Sequence, residues 1–170
     1  MSPTGIQVSP RTTAAATIRP MTNDEFEPWQ AALVGNFARE ISHATGLPTA
    51  AALTRSHQQF DELLPNGLET VGHWLMRVLD EDGHPIGTLW IGPHAELPGA
   101  AYIYHLDVEE SARGRGFGRL AMLAAERLAS EAGIAEIGLN VFGCNHRART
   151  LYDSMGYRVL TMQLTKTLPR

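Results

Sequence analysis

Three glycines at alternate positions, in Arg113-Gly114-Arg115-Gly116-Phe117-Gly118, lie where an apolar segment gives way to a helical one, and this junction restricts the fold more than any other stretch. The run Ala101 to Val108 is rich in β-branched and aromatic residues and is bounded by Pro98-Gly99 and Glu109-Glu110-Ser111, so it reads as a strand. The glycines after it let backbone N–H groups converge, with no Cβ in the way, at the N-terminus of the next helix, which suits a phosphate. In that helix Phe117, Leu120, Ala121, Ala124, Leu128 and Ala132 share one face. Arg119, Glu126, Arg127 and Ser130 lie opposite, with Leu123 the exception on the polar side. Gly133 ends the helix, and Ile134 to Phe142 supplies a second apolar strand. Strand, turn, helix, strand implies a right-handed parallel crossover.

Spacing separates the phosphate-binding turns that compete for this sequence. A Walker loop needs Gly-Lys followed by Ser or Thr, which is absent. A dinucleotide fingerprint needs G-x-G-x-x-G and an acidic residue closing the next strand. Here the glycines run G-x-G-x-G and the strand offers Asn140. The pattern that remains, Arg-x-x-Gly-x-Gly after a strand ending in Val, resembles the acyl-CoA pyrophosphate loop of the GCN5-related N-acetyltransferases, the GNAT family. Arg113, Gly116 and Gly118 fill its defining positions. Residues 139–157 resemble the family's other signature, with Asn145 after a strand, Ala148 three on, Leu151-Tyr152, and the pair Gly156-Tyr157.

The resemblance implies an α/β fold, the mixed sheet of the GNAT acyl-CoA N-acyltransferases, in the order β-α-α-β-β-β-α-β-α-β with a central strand–helix–strand crossover. It covers about residues 17–168 and implies one domain, 17–170, behind a tail. Residues 1–16, rich in Ser, Pro, Thr and Ala, read as disordered. A short strand is expected at 17–20. A helix follows from the caps at Thr22 to Asp24 to about Ser42, and a second from about Thr49 to Leu64. Val71 to Leu79 and Ile86 to Ile91 read as a hairpin around Asp80-Glu81-Asp82-Gly83, and 92–99 as a loop. Asn145 caps a short helix ending at Gly156, and a last strand is expected from about Tyr157 to Thr165. In the family the two early helices form one wall of the acceptor site.

Chemistry follows from what acyl transfer requires. An amine with a pKa near 10 is mostly protonated at neutral pH and must lose a proton before it attacks a thioester, and a departing thiolate is helped by a proton donor. By resemblance Tyr152 is the acid, since it occupies the Leu-Tyr position. The base is open among Tyr104, His105 and Asp107, with Tyr104 holding a water chain in one version. Strand alternation puts Tyr102 and Tyr104 on one face and His105 and Asp107 on the other, unless a bulge changes the phase. The glutamate that the family often carries at the position of Asn140 is missing here. For acetyl-CoA the resemblance implies contacts from Arg113, Gly114, Arg115, Gly116, Phe117, Gly118 and Arg119 to the pyrophosphate. Backbone groups of Leu106 and Val108, with Asn140, Asn145 and Tyr152, would contact the pantetheine arm. Cys144 lies close in sequence, but the family transfers its acyl group directly.

The totals exclude more than they identify. Charged residues make up 19% of the chain and the formal charge is −4, which gives no sign of a nucleic-acid surface. A chain of 170 residues buries roughly 70% of its unfolded surface. One cysteine excludes an internal disulfide, and no 18-residue apolar run or signal-peptide pattern is present, so cytoplasm is the expected location, without membrane. The seven histidines show no metal-ligand spacing, so no metal is expected. The expected function is transfer of acetyl from acetyl-CoA to a primary amine in a ternary complex. The alternatives are a non-catalytic acyl-CoA sensor and an enzyme using another acyl-CoA. The acceptor is open among small amines, antibiotics, amino acids and proteins, and the oligomeric state between a monomer and the homodimer common in the family.

Overall fold

The structure is a computed structural model that describes residues 6–8 and 16–166. The chain divides into two compact units, Met1–Leu139 and Asn140–Arg170. The first holds a six-stranded sheet in sequential order: β1 (Ile6–Val8), β2 (Ala16–Pro20), β3 (Trp74–Leu79), β4 (Pro85–His94), β5 (Leu97–Val108) and β6 (Ile137–Leu139). Neighbours are antiparallel except β5 and β6, which run parallel across the crossover expected from the sequence.

Helices α1 (Asn23–Thr45) and α2 (Thr49–Leu63) cover one face of the sheet. Pro20 ends β2, Thr22 donates its backbone N–H to Glu25 at 2.9 Å, and α1 begins there. It runs to Thr45, a turn beyond Ser42, because the first residue in the left-handed region is Gly46 at φ 71°. The buried hydroxyl of Ser56 in α2 donates to the Val34 carbonyl of α1 at 2.8 Å, tying the pair together. Met21, Trp29, Val34, Phe60, Leu64, Leu75 and Trp90 form the core beneath them. The crossover helix α3 (Phe117–Glu131) contacts β1, β2, β4 and β5 and covers the opposite face. There Ile18, Val78, Leu89, Ile91 and Ile103 are buried at alternate strand positions, and Phe117, Leu120, Ala121, Ala124 and Leu128 meet them as the helical period requires.

Four expectations need correction. The tail holds a strand: Ile6–Val8 pairs with Ala16–Ile18 because β2 otherwise presents an open edge, and residues 1–5 and 9–15 lie outside those described. Residues 92–99 are not a loop but the tip of a hairpin turning at Ala95-Glu96. Pro93 is accommodated at a register shift between it and His94. The crossover's second strand is shorter than 134–142, with three paired residues. The last strand expected at Tyr157–Thr165 is absent: the backbone there has no regular pairing, and Val159, Leu160, Met162 and Leu164 are exposed. Its alternation is that of a strand, but alternation alone does not make a ladder.

The second unit contains α4 (His146–Ser154), capped by Asn145, whose side chain accepts the Ala148 N–H at 3.1 Å, and followed by Gly156 at φ 88°. No helix among the described residues is long and apolar enough to cross a membrane.

Candidate active site

The site is built around an irregularity in β5. His105 pairs with Trp90, yet Ile103 pairs with the next residue, Ile91, so Tyr104 is the extra residue of a bulge. The bulge changes the phase of the strand. Tyr102, Tyr104, His105 and Asp107, split between two faces by simple alternation, all lie on the face covered by α1 and α2: Tyr104 stacks on Trp90 at 4.6 Å, and the His105 ring meets Trp29 at 6.2 Å. The bulge also falls where β5 loses its second neighbour. Pairing to β6 stops at Ile103↔Leu139, and from His105 to Val108 the strand pairs with β4 alone. One edge of β5, including the backbone of Leu106 and Val108, therefore pairs with no strand among the described residues.

Under α1, beside this stretch, is a cavity of about 430 Å³. His105, Asp107 and Glu109 line it from β5 and the residue beyond, Thr88 and Gly87 from β4, and Arg77 from β3. Asp24, Glu25, Trp29 and Asn36 line it from α1. His105 Nε2 lies 3.1 Å from the Thr88 hydroxyl. Burial pushes the His105 pKa down, with the Asp107 charge acting in the opposite direction, so the ring is neutral at and above neutral pH and can take up a proton. Asp107 is instead committed to Arg113, 3.3 Å away. Tyr104 donates its hydroxyl to the Pro93 carbonyl at 2.5 Å, and burial pushes its pKa up. Of the three candidate bases, His105 is the one whose ring lines the cavity without an ionic partner. Gly87 permits the close strand pairing here, since a Cβ at that position would sit 2.4 Å from the Asp107 carbonyl oxygen.

The outer wall is held by charge. Arg19 grips Glu25 with two hydrogen bonds of 2.7 and 2.8 Å, and Arg77 Nε approaches the same carboxylate at 3.4 Å. The Arg19 hydrogen bonds, foremost, and those from Thr22 hold the Glu25 pKa down at about 2. This carboxylate fixes the start of α1 against β2 and β3. Asp24, Glu25, Trp29, Asn36, Arg77 and Thr88 were not among the site residues expected from sequence. Two signals were available: Thr22-x-x-Glu25 is a capping-box pattern, and Thr88 is a lone hydroxyl in an otherwise apolar strand.

At the end of β5 the glycine turn has the predicted form. Gly114 and Gly116 adopt φ of 84° and 93°, and Gly116 is the N-cap of α3. The first α-helical bond recorded at this end runs from the Leu120 N–H to the Gly116 carbonyl, so the N–H groups of Phe117 and Gly118 point out of the helix end, where an anion is favoured. Gly114, Arg115 and Gly116 are exposed, with the Arg115 guanidinium 5.0 Å from the Phe117 ring centroid, and Arg119 is half-buried in the first turn. Arg113 is turned back, its Nε donating to the Val108 carbonyl at 2.7 Å. These features fit a pyrophosphate.

The remaining predicted residues lie in the second unit. Tyr152 is half-buried on α4, its ring centroid 5.8 Å from that of Tyr157, and burial raises its pKa, keeping the phenol protonated. Asn140 is exposed, Asn145 caps α4, and Cys144 is an exposed free thiol. Among the described residues, potential metal-ligand atoms gather at Asp80, Asp82 and His84, whose turn is closed by Asp80 Oδ1 accepting the backbone N–H of both other residues.

The site thus combines a bulged strand, a cavity beside it and an exposed glycine turn that opens a helix. The chain belongs to the acetyltransferase (GNAT) family, whose model matches residues 39–157. It is similar to two proteins of Bacillus subtilis (strain 168), each named an uncharacterized N-acetyltransferase. YdgE is 30% identical over 155 residues, covering 91% of this chain and 99% of that one. YycN is 34% identical over 155 residues, covering 89% and 97%. The crystal structure of YycN superposes with a TM-score of 0.78 at 31% identity, over 91% of this chain and 99% of that one. AAC(6')-Iy, solved in complex with the bisubstrate analog CoA-S-monomethyl-acetylneamine, shares the fold at a TM-score of 0.59 and 17% identity, over 91% and 99% of the two chains.

Proposed function

We propose that the protein transfers an acetyl group from acetyl-CoA to a primary amine by direct attack within a ternary complex. One observation carries this reading. The bulge at Tyr104 turns a neutral, half-buried imidazole into a cavity on the same strand whose free edge and terminal glycine turn fit the arm and pyrophosphate of CoA. Backbone amides of Phe117 and Gly118, with Arg115 and Arg119, would hold the pyrophosphate, and the β5 edge at Leu106 and Val108 would pair with the pantetheine amides. Bound acetyl-CoA supplies the activated thioester.

The chain's own residues manage two protons. His105 takes one from the acceptor's ammonium, freeing the nitrogen lone pair, and later releases it to solvent. Tyr152, assigned by its Leu-Tyr motif, protonates the departing sulfur. The amide bond forms as the carbon–sulfur bond breaks; the nitrogen sheds its second proton as it becomes an amide, which balances the one Tyr152 gives to sulfur and takes back from solvent, so one proton is released overall. The single cysteine, exposed and free, suits a reducing cytoplasm.

Calorimetric titration with acetyl-CoA, free CoA and succinyl-CoA, followed by thiol release against a panel of amines, tests this. Saturable acetyl-CoA binding with amine-dependent thiol release is expected. Binding without release on any amine would favour a sensor, and no binding would overturn the assignment of residues 113–118.

A further inference from the structure

Among the described residues the buried polar side chains are Ser56, Thr70 and Thr88. Two are explained by the fold: Ser56 donates to the Val34 carbonyl, and Thr70 Oγ1 accepts the Asn66 N–H. Thr88 is different. It is 6% exposed, in the run Ile86-Gly87-Thr88-Leu89-Trp90 where valine would pack equally well, and its hydroxyl is joined to a side chain, His105 Nε2, at 3.1 Å. Both residues line the cavity.

We propose that Thr88 is a positioning residue that selects the working tautomer of His105, its hydroxyl accepting the Nε2–H so that Nδ1 is the nitrogen that takes the proton. The proposal rests on the reading of His105 as the base. Chemistry gives the direction of the hydrogen bond. A neutral imidazole has one N–H and one lone pair, and a base must present the lone pair to the amine, so the nitrogen facing Thr88 carries the hydrogen. Once Nδ1 is protonated both nitrogens are donors, and a hydroxyl that accepts stays satisfied in both states. One that donated would have to rotate on each turnover. In the step itself, the N–H bond of the ammonium breaks, its electron pair stays on the amine nitrogen, and the proton binds Nδ1.

The charged groups lining the cavity around His105 are Asp24 and Glu25 from α1, Arg77 from β3, Asp107 on its own strand and Glu109 just beyond. Glu25 and Arg77 are close enough to pair, and Asp107 pairs with Arg113. Thr88→Val leaves all of them in place, so a change in His105 titration reads the hydroxyl.

The test uses the full chain with ¹⁵N-labelled histidine. The His105 tautomer and pKa are read by NMR in the wild type, Thr88→Val and Thr88→Ser, with His105→Gln to assign the signals, alongside the pH dependence of kcat and of KM for acetyl-CoA. The wild type is expected to hold the Nε2–H tautomer. Thr88→Val is expected to mix tautomers, lower the His105 pKa, move the acidic limb to lower pH and reduce kcat about tenfold with KM for acetyl-CoA unchanged. Thr88→Ser restores all four. An unchanged tautomer in folded Thr88→Val, or failure of Thr88→Ser to restore it, overturns the role of Thr88. Full turnover by His105→Gln overturns the underlying reading of the base instead.

Discussion

Replacing Glu25 by Gln should destabilise the first unit in a way that depends on pH. The carboxylate is held at about 2, against an ordinary value of 4.5, chiefly by two hydrogen bonds from Arg19. At about 1.4 kcal/mol per pH unit, that displacement sets a ceiling of about 3 kcal/mol on its contribution at neutral pH. Its side chain is 20% exposed and that of Arg19 33%, so solvent screening reduces the expected loss to about 2 kcal/mol. The sign follows from the depressed value. The stabilisation is fully present above pH 4.5 and fades as pH falls toward 2, because the folded state must then give up a charge it had favoured. Urea unfolding of wild type and Glu25→Gln at pH 7, 4 and 3 checks this. The gap should be about 2 kcal/mol at pH 7 and should narrow at each lower pH. Equal stabilities at pH 7, or a gap of constant size, would refute the reasoning. Because Glu25 and Arg77 line the cavity, Glu25→Gln should also raise KM for the acceptor.

Two further substitutions probe the assigned roles. Gly116→Val puts a β-branched side chain at φ 93° and a Cβ among the amides that would face pyrophosphate. Calorimetry should show acetyl-CoA affinity falling by about a hundredfold or more, and retained affinity would contradict the turn's assignment. Tyr152→Phe should leave acetyl-CoA binding nearly unchanged and lower kcat by about tenfold. Normal turnover would remove Tyr152 as the acid.

The parts legible in the sequence were those encoded locally. The glycine turn, the crossover and the cap at Asn145 are fixed by a few adjacent residues whose backbone requirements allow one geometry. The phase of β5 was not. Alternation placed His105 opposite Tyr104, and only the cross-strand register, with Trp90 on His105 and Ile91 on Ile103, reveals the extra residue between. The cavity wall was hidden for a similar reason: Arg77 lies far along the chain from Arg19 and Glu25 and meets them through the pairing of β2 with β3. Nonlocal contact likewise decides the ends of the chain. Ile6–Val8 pairs with β2, whereas Val159 to Leu164, more strand-like by pattern, forms no ladder.

The most direct test of the central claim is amine-dependent thiol release by His105→Gln, measured beside calorimetric binding of acetyl-CoA. His105 reads as the group that accepts the acceptor's proton, and it lies in a cavity distinct from the glycine turn. The variant should therefore bind acetyl-CoA as the wild type does and turn over about a hundredfold more slowly. Undiminished turnover would place the base elsewhere, and loss of acetyl-CoA binding would show that His105 serves the cofactor rather than the acceptor.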